Sequence, residues 1–459
     1  MTIFGRVKKI HLIGIGGSGM SAIAEILLGL GYIVSGSDIN DSKVIENLRK
    51  KGAKIYIGHS YDNINNADVL VYSSAITGQN PEIDAARDMG IPIIGRAEML
   101  AELSRLKTGI HIAGTHGKST TTSLIGVMIE DADYDPTIIV GGRSNNLEGN
   151  ARLGKGPHMV LEADEFDKTF LKLSPVIAIV TNMEKEHMEC YDDYDDLKDS
   201  FVKFLNSVPF YGASIICLDE RSLQELLPRL NRRVITYGLS TQSDIRAIKV
   251  SFGLNYSKFT VEAFGKKLGE IKVNLLGLHN VRNTLAAVAT GIEMGMDFDD
   301  IASGIAAFKG VFRRFQIIGQ KNDILIVDDF AHHPTEVRAT LDGARMGYDR
   351  RIIVVFQPHL YSRTERFADD FGKAFLNSDT LIVTSIYPAR EKPIEGITGE
   401  IIAQSAKDYG HRDVHYIPKR DTIAQKLLDI TKPGDMVLVL GAGNVNIVAE
   451  EFFKILGEK

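Results

Sequence analysis

The chain has 459 residues and only two cysteines, Cys190 and Cys217. Two thiols in so long a chain give neither a disulfide framework nor a metal-ligand pattern, and a reducing cytoplasm is the expected setting. Cys190 stands in an acidic stretch and lacks the positive surroundings that make a reactive thiolate. No run approaches the roughly 18 apolar residues that a membrane span needs. Met1 to Gly19 combine a short apolar run with several glycines, which argues against a signal peptide. An excess of one charge is also missing. Lys plus Arg number 53 and Asp plus Glu 59, a net charge of -6, so neither nucleic acid nor an anionic membrane is an expected partner. Basic pairs such as Arg350-Arg351 read as solvated helix or strand ends. There is no repeat of solenoid period and no low-complexity tract.

What is present is ordinary for a soluble α/β enzyme: 44% hydrophobic residues, 24% charged residues and 43 glycines. At about 150 residues per domain the length suggests three domains. Short β-branched runs alternate with helical patterns, which predicts parallel sheets covered by helices. The first block, 1–103, has strands expected at Ile10–Ile15, Tyr32–Ser37, Lys54–Ile57, Val69–Tyr72 and Ile91–Ile94, and closes with a helix from Arg96 to Leu103. The second, 104–310, opens with Gly109–Ala113 and continues through Met159–Ala163 and Val176–Thr181. Its strands Ile245–Ser251, Lys258–Ala263 and Glu270–Asn274 follow one another without helices, so an antiparallel arrangement and a mixed sheet are expected there. The third, 311–459, alternates again, with strands at Ile324–Asp328, Ile352–Phe356, Thr380–Thr384 and Met436–Leu440.

Gly14-Ile15-Gly16-Gly17-Ser18-Gly19 follows a strand and opens a helix. It fits the G-x-G-x-x-G fingerprint, whose glycines let the backbone approach a diphosphate at a helix N-terminus. Asp38 ends the next strand, where a carboxylate can accept from a ribose hydroxyl. The motif is compatible with a nicotinamide cofactor, with another diphosphate ligand, or with a tight turn that binds nothing.

A second loop, Ala113-Gly114-Thr115-His116-Gly117-Lys118-Ser119-Thr120, carries the Gly-Lys-Ser ending of a phosphate loop. Its amides are expected to wrap a triphosphate, with Lys118 reaching the terminal phosphates and Ser119 ligating Mg²⁺. Ile112 stands where the strict pattern has glycine, so the loop is a variant. Two acidic stretches leave later strands: Leu161-Glu162-Ala163-Asp164-Glu165-Phe166-Asp167 and Thr181-Asn182-Met183-Glu184-Lys185-Glu186-His187. Alone, each is as readily a solvated turn. Together at strand ends beside a phosphate loop they are candidates for Mg²⁺ ligation, with His187 a possible nitrogen ligand.

These segments resemble, in order, the motifs of the Mur ligase family. The likeness extends through Gly277-Leu278-His279-Asn280-Val281-Arg282-Asn283, Phe312-Arg313-Arg314-Phe315, Asp328-Asp329-Phe330-Ala331-His332-His333-Pro334-Thr335-Glu336 and Gln357-Pro358-His359-Leu360-Tyr361-Ser362-Arg363-Thr364, and so covers essentially the whole chain. It implies an α/β protein of three domains: a Rossmann-like domain for a UDP-sugar, a phosphate-loop ATPase-like central domain and a Rossmann-like C-terminal domain. The implied reaction is ATP-dependent joining of L-alanine to UDP-N-acetylmuramate through an acyl phosphate, for peptidoglycan precursors. A ligase attaching a recycled murein tripeptide to the same sugar is the alternative. Pro209-Phe210-Tyr211-Gly212 and the 359–364 segment look more like the alanine-adding type. Rivals outside the family are an NAD-linked oxidoreductase and a non-enzymatic nucleotide sensor.

By the same resemblance, Gly16, Gly17, Ser18 and Gly19 face the diphosphate, with Asp38, His59, Ser73 and Arg96 as further UDP-sugar candidates. An exposed loop histidine is the plain alternative for His59. The ATP-binding set is Gly114, Thr115, His116, Gly117, Lys118, Ser119, Thr120, Asn280, Asn283, Arg314 and Asp329. A buried asparagine pair capping a helix is an equal reading of 280–283. Ser119, Glu162 and His187 are the implied ligands of Mg²⁺ or Mn²⁺. His332, His359 and Arg363 are expected to take the amino acid, Arg363 through its forked donors. Lys118, His187 and Arg363 are the candidate catalytic groups, with His187 or a carboxylate as the amine's base. Two departures stand out: Leu360 where arginine is usual and Phe330 where tyrosine is usual. Lys203 lies near the position of a modified lysine in one relative, without a clear match. The expected partners are small molecules only, and the expected state is a monomer or homodimer.

Overall fold

The computed structural model describes residues 4–457 apart from 65, 74, 77, 143, 148 and 390. Three sheets organise them, of five, ten and six strands. Among the described residues, no helix is long and apolar enough to cross a membrane.

The five-stranded sheet is parallel throughout, in the order 3-2-1-4-5 by chain position. Its first strand, Lys9–Ile13, is buried after its first residue, as expected of a strand covered on both faces. Order reverses between that strand and the fourth, Val69–Tyr72, and such a switch point opens a crevice at the carboxyl ends of the strands. Helices start on clear signals: Ser42 caps Lys43–Lys50, and Asn80 with Pro81 opens Pro81–Asp88.

In the ten-stranded sheet, numbered by chain position from Thr108–Ala113, the order is 10-9-8-7-6-5-1-4-2-3. Thr108–Ala113 pairs in parallel with His158–Glu162 on one side and Ile177–Val180 on the other. The phosphate loop and both acidic stretches therefore leave the sheet side by side. Four further strands, Thr137–Ile139, Ala151–Arg152, Ala213–Cys217 and Val234–Gly238, extend the sheet beyond those expected from sequence. The three long strands Ile245–Gly253, Tyr256–Ala263 and Lys266–Val273 are successive neighbours at one edge.

The six-stranded sheet has the order 1-2-6-3-4-5, counted from Gln316–Lys321. That first strand is antiparallel to Ile324–Asp329, and the other pairs are parallel. Alternate residues feed two cores: Val327, Val354 and Leu438 on one face, Ile326, Ile353 and Val437 on the other. This period of two is why both faces need helices. Arg350 and Arg351 at this sheet are not simply solvated. Arg350 pairs with Asp323 at 2.8 Å and Arg351 with Asp435 at 2.7 Å, because Asp435 is buried and needs a counter-charge.

The chain divides into two compact units. One comprises 1–248, 260–271 and 282–309; the other comprises 249–259, 272–281 and 310–459.

Candidate functional site

The glycine turn after Lys9–Ile13 is held by its neighbours. The Ser37 carbonyl accepts from the amides of Gly14 and Ile15, at 2.8 and 3.1 Å. Asp38 Oδ2 accepts from Gly16 N at 2.9 Å. A Cβ at Gly14 would lie 3.2 Å from Ser73 Cβ, one at Gly16 2.9 Å from Asp38 Oδ2, and one at Gly19 2.8 Å from Arg96 Nη1. Asp38, Ser73 and Arg96 thus gather around the turn. Ser74 lies outside the described residues. Asp38 already binds a loop amide, a role sequence reading did not foresee. Helix Ser18–Gly29 begins in the turn, and the Ser18 carbonyl accepts from Asn150 Nδ2 at 2.5 Å. His59 joins this end of the sheet through Ser37, whose Oγ is 3.0 Å from His59 Nδ1.

The phosphate loop needs two glycines in the left-handed half of backbone space. Gly114 has φ +129° and Gly117 has φ +81°. A Cβ at Gly114 would collide with Thr181 Oγ1, and one at Gly117 would lie 2.6 Å from Asn283 Oδ1. The strand-end segment Thr181–Glu184 laces the loop. Asn182 Oδ1 accepts from His116 N at 2.8 Å, and Asn182 Nδ2 and Thr181 Oγ1 both donate to the His116 carbonyl, at 3.0 and 2.6 Å. Thr115 Oγ1 accepts from Glu184 N at 2.9 Å. Helix Lys118–Asp131 follows directly, with Ser119 and Thr120 in its first turn.

Lys118 Nζ donates to the carbonyls of Gly114 and Thr115, at 2.6 and 3.2 Å, and to Glu165 at 2.9 Å. Burial by itself would lower the lysine pKa, but Glu165, Asp164 and Glu162 raise it overall, so the ammonium stays charged. Glu165 is 2% exposed, and burial raises its carboxyl pKa against the pull of Lys118. Glu165 was not singled out by sequence. The signal was its place in the acidic stretch, three residues after Glu162.

Glu162 sits at the end of its strand and accepts from Gly141 N through Oε2 at 2.7 Å. His187 adopts a left-handed backbone, φ +55°. Its ring meets Phe166 edge-on at 5.3 Å, and its Nδ1 is 3.8 Å from Glu189. Asn280 and Asn283 lie on helix Leu278–Glu293. Asn280 Nδ2 donates to the Leu276 carbonyl at 2.8 Å, a local bond of the opposite sense to an N-cap, in which the side chain accepts, whereas Asn283 abuts the phosphate loop at Gly117. Cys190 is partly exposed, and burial raises its pKa. Lys203 is exposed on helix Tyr194–Asn206.

In the second unit, Asp329 accepts from Phe315 N and Ala331 N, both at 2.7 Å. Burial pushes its pKa up to about 6. Arg314 pairs with Glu336 at 3.1 Å and lies over the Phe330 ring at 5.5 Å. His332 Nδ1 is 3.0 Å from the Phe330 carbonyl and 3.1 Å from Glu336. The His332 and His359 rings meet edge-on at 5.7 Å, and His359 stacks on Tyr387 at 5.8 Å. Arg363 Nη1 donates to His359 Nδ1 at 3.3 Å. Burial, then His332 and Arg363, lower the His359 pKa to about 4, so the ring is a neutral acceptor near pH 7. Leu360, between them, takes φ +71°, a rare backbone for a residue with a Cβ.

A glycine turn on a parallel five-stranded sheet, a lysine-bearing phosphate loop on a second sheet and a third doubly wound sheet define a phosphate-loop α/β enzyme. Three family models match the chain in order: "Mur ligase family, catalytic domain" over 9–108, "Mur ligase middle domain" over 112–291 and "Mur ligase, glutamate ligase domain" over 313–443. The chain belongs to the Mur ligase family. It is 51% identical over 448 residues to the UDP-N-acetylmuramate–L-alanine ligase of Geotalea uraniireducens, covering 98% of each chain. The enzyme of that name from Salinibacter ruber is 46% identical over 454 residues, 98% of this chain and 96% of the relative. Among solved structures, the UDP-N-acetylmuramate-alanine ligase of Thermotoga maritima superposes with a TM-score of 0.83 at 29% identity, covering 98% and 99% of the two chains. A murein peptide ligase of Psychrobacter arcticus gives 0.70 at 26% identity, with coverage of 98% and 99%.

Proposed function

We propose that this chain joins L-alanine to the lactyl carboxylate of UDP-N-acetylmuramate at the expense of ATP, in the cytoplasm. One observation carries the reading. A phosphate-loop lysine, Lys118, sits at the ends of parallel strands beside Glu162 and Glu165, in a chain half identical to ligases of that name over nearly its whole length. The domain over 1–103 takes the UDP-sugar at the glycine turn, the one over 104–310 takes ATP, and the one over 311–459 takes the amino acid through Arg363, His359 and His332.

A carboxylate is a poor electrophile, since its charge repels a nucleophile. Its oxygen attacks the γ-phosphorus of ATP, ADP leaves, and the acyl phosphate now carries a good leaving group. The deprotonated amine attacks the acyl carbon, and phosphate departs as the amide forms. Lys118 and the loop amides offset charge that builds on the transferred group, which is positioning and electrostatics. Ser119 and Glu162 supply hard oxygen donors fit for Mg²⁺, one Glu162 oxygen being held toward Gly141 N. His187 would add a nitrogen ligand for a second metal ion. When bound, the cation neutralises phosphate charge.

Phosphate release is the test, measured with ATP, Mg²⁺, UDP-N-acetylmuramate and either L-alanine, glycine, L-serine or the murein tripeptide. Release that requires L-alanine supports the proposal. Release with the tripeptide alone would replace it by the recycling reaction.

A further inference from the structure

Glu82 is fully buried in the first turn of helix Pro81–Asp88. A buried carboxylate is costly unless hydrogen-bonded, and both its oxygens have partners. Oε1 accepts from Asn63 Nδ2 at 2.6 Å and from Ser60 N at 3.4 Å. Oε2 accepts from Ser37 Oγ at 2.6 Å, and lies 3.5 Å from His11 Nε2 and from His59 Nδ1. Burial works to raise the Glu82 pKa, but His11, Ser37 and Asn63 together hold it below the usual carboxylate range.

The direction of each proton follows. An ionised carboxylate only accepts, so the single Ser37 hydroxyl proton points at Glu82. Ser37 Oγ is then an acceptor toward His59 Nδ1, 3.0 Å away. His59 therefore carries its proton on Nδ1 and leaves Nε2 with a lone pair. His59 is the member of this relay that reaches the surface, 17% exposed. It follows Gly58 at the carboxyl end of strand Lys54–Ile57. The relay also borders the glycine turn, because the Ser37 carbonyl holds the Gly14 and Ile15 amides.

We infer that Glu82 is a positioning residue. Acting through Ser37, it fixes His59 as a hydrogen-bond acceptor for a donor on the nucleotide, either the imide N–H of uracil or a ribose hydroxyl. This rests on the reading of the first sheet as the UDP-sugar site. An acceptor here favours uracil over cytosine, whose ring nitrogen at that position is itself an acceptor.

Glu82→Gln tests the relay in the full-length protein. The two donors on the Oε1 side, Asn63 Nδ2 and Ser60 N, draw the glutamine carbonyl oxygen toward them. The glutamine NH₂ then faces Ser37, the Ser37 hydroxyl turns its proton to His59 Nδ1, and the histidine proton moves to Nε2. Nitrogen-15 NMR of histidine-labelled protein at about pH 8, above the imidazole range, reads the tautomer, with His59→Asn assigning the signal. The expected result is Nδ1–H in the parent and Nε2–H in Glu82→Gln. UDP affinity should fall about 10- to 100-fold, as for a buried acceptor replaced by a donor. KM for UDP-N-acetylmuramate should rise while kcat is retained. N3-methyl-UDP and 2′-deoxy-UDP identify the donor, since the penalty for the missing group should vanish in the variant.

Nε2–H in the parent overturns the inference, and this measurement does not depend on the variant folding. UDP affinity that is unchanged after the tautomer switches overturns it as well. A parent that fails to bind UDP at all would instead remove the nucleotide-site reading on which it rests.

Discussion

The ammonium of Lys118 lies 2.8 Å from a carboxylate oxygen of Glu165, and both side chains are largely withdrawn from water. The lysine is parked on a carboxylate and on two carbonyls of its own loop. By the role proposed for Lys118, triphosphate binding exchanges that carboxylate for phosphate oxygens. Glu165→Gln leaves a buried ammonium hydrogen-bonded to neutral groups, and should lower stability by about 1–3 kcal/mol. ATP should restore more stability to the variant than to the parent, because phosphate supplies the missing negative charge. Denaturant titrations with and without ATP check both statements.

Lys118→Ala removes the cation expected to meet the transferred phosphoryl group. Turnover should fall at least about 10²- to 10³-fold, the usual cost of losing one such donor. UDP affinity should be unchanged, since the glycine turn is a separate structure. Phosphate release and UDP titration on the same preparation test the pair.

Arg363→Lys keeps the charge and loses the fork. Its Nη1 also supports His359, so the substitution removes the proposed carboxylate clamp and an imidazole partner together. KM for the amino acid should rise about tenfold or more, with little change in KM for ATP. Steady-state kinetics at saturating UDP-sugar are the measurement.

Asp329 and His359 should pull stability in opposite directions with pH. The Asp329 pKa is raised from 3.8 to about 6 in the fold. Between those values the native state keeps a proton that the unfolded chain has lost, so stability falls as pH rises. The His359 pKa is lowered from 6.5 to about 4. Between about 4 and 6.5 the unfolded chain binds the proton, so stability rises with pH. Asp329→Asn should therefore steepen the loss of stability on acidification below about pH 6, and His359→Gln should flatten it. Unfolding followed at several pH values separates the two.

Asn146 ties its loop to the segment that leaves the first unit. It donates to the Ala307 carbonyl at 3.1 Å and accepts from Lys309 N at 2.8 Å. Asn146→Ala should cost about 1 kcal/mol, since these bonds are partly in solvent. It should also speed proteolytic cleavage near 307–315. Limited proteolysis followed by mass analysis gives the cut site.

Much of the candidate site was legible because its residues lie where local rules apply. Gly14 to Gly19 and Gly114 to Ser119 are strand-to-helix turns, and their glycines mark backbone that must bend or approach closely. The carboxyl-end positions of Asp38, Glu162 and Asp329 follow from strand patterns alone. Other features depend on packing that no local pattern encodes. Ala213–Cys217 and Val234–Gly238 are short; the first is buried along its whole length, and the second alternates half-buried with buried residues without a charged position to mark its outer face. Glu82 stands two residues after a helix-capping asparagine and reads as an ordinary acidic first turn. Only the fold brings Ser37, Asn63 and His59 around it. Glu165 is likewise one acid among several until the strand order sets it against Lys118. Asp38 shows the converse, a residue correctly placed at the turn whose carboxylate closes the loop on Gly16 N.

The cross-linked state of that first turn has a kinetic meaning. With its amides and carboxylate already engaged, the turn gives up little chain freedom when a nucleotide docks, so the sugar should be gripped about equally well whatever else is bound. A compulsory order of substrate addition would then originate at the other loop, where the proposed docking of a triphosphate draws a lysine away from its carboxylate.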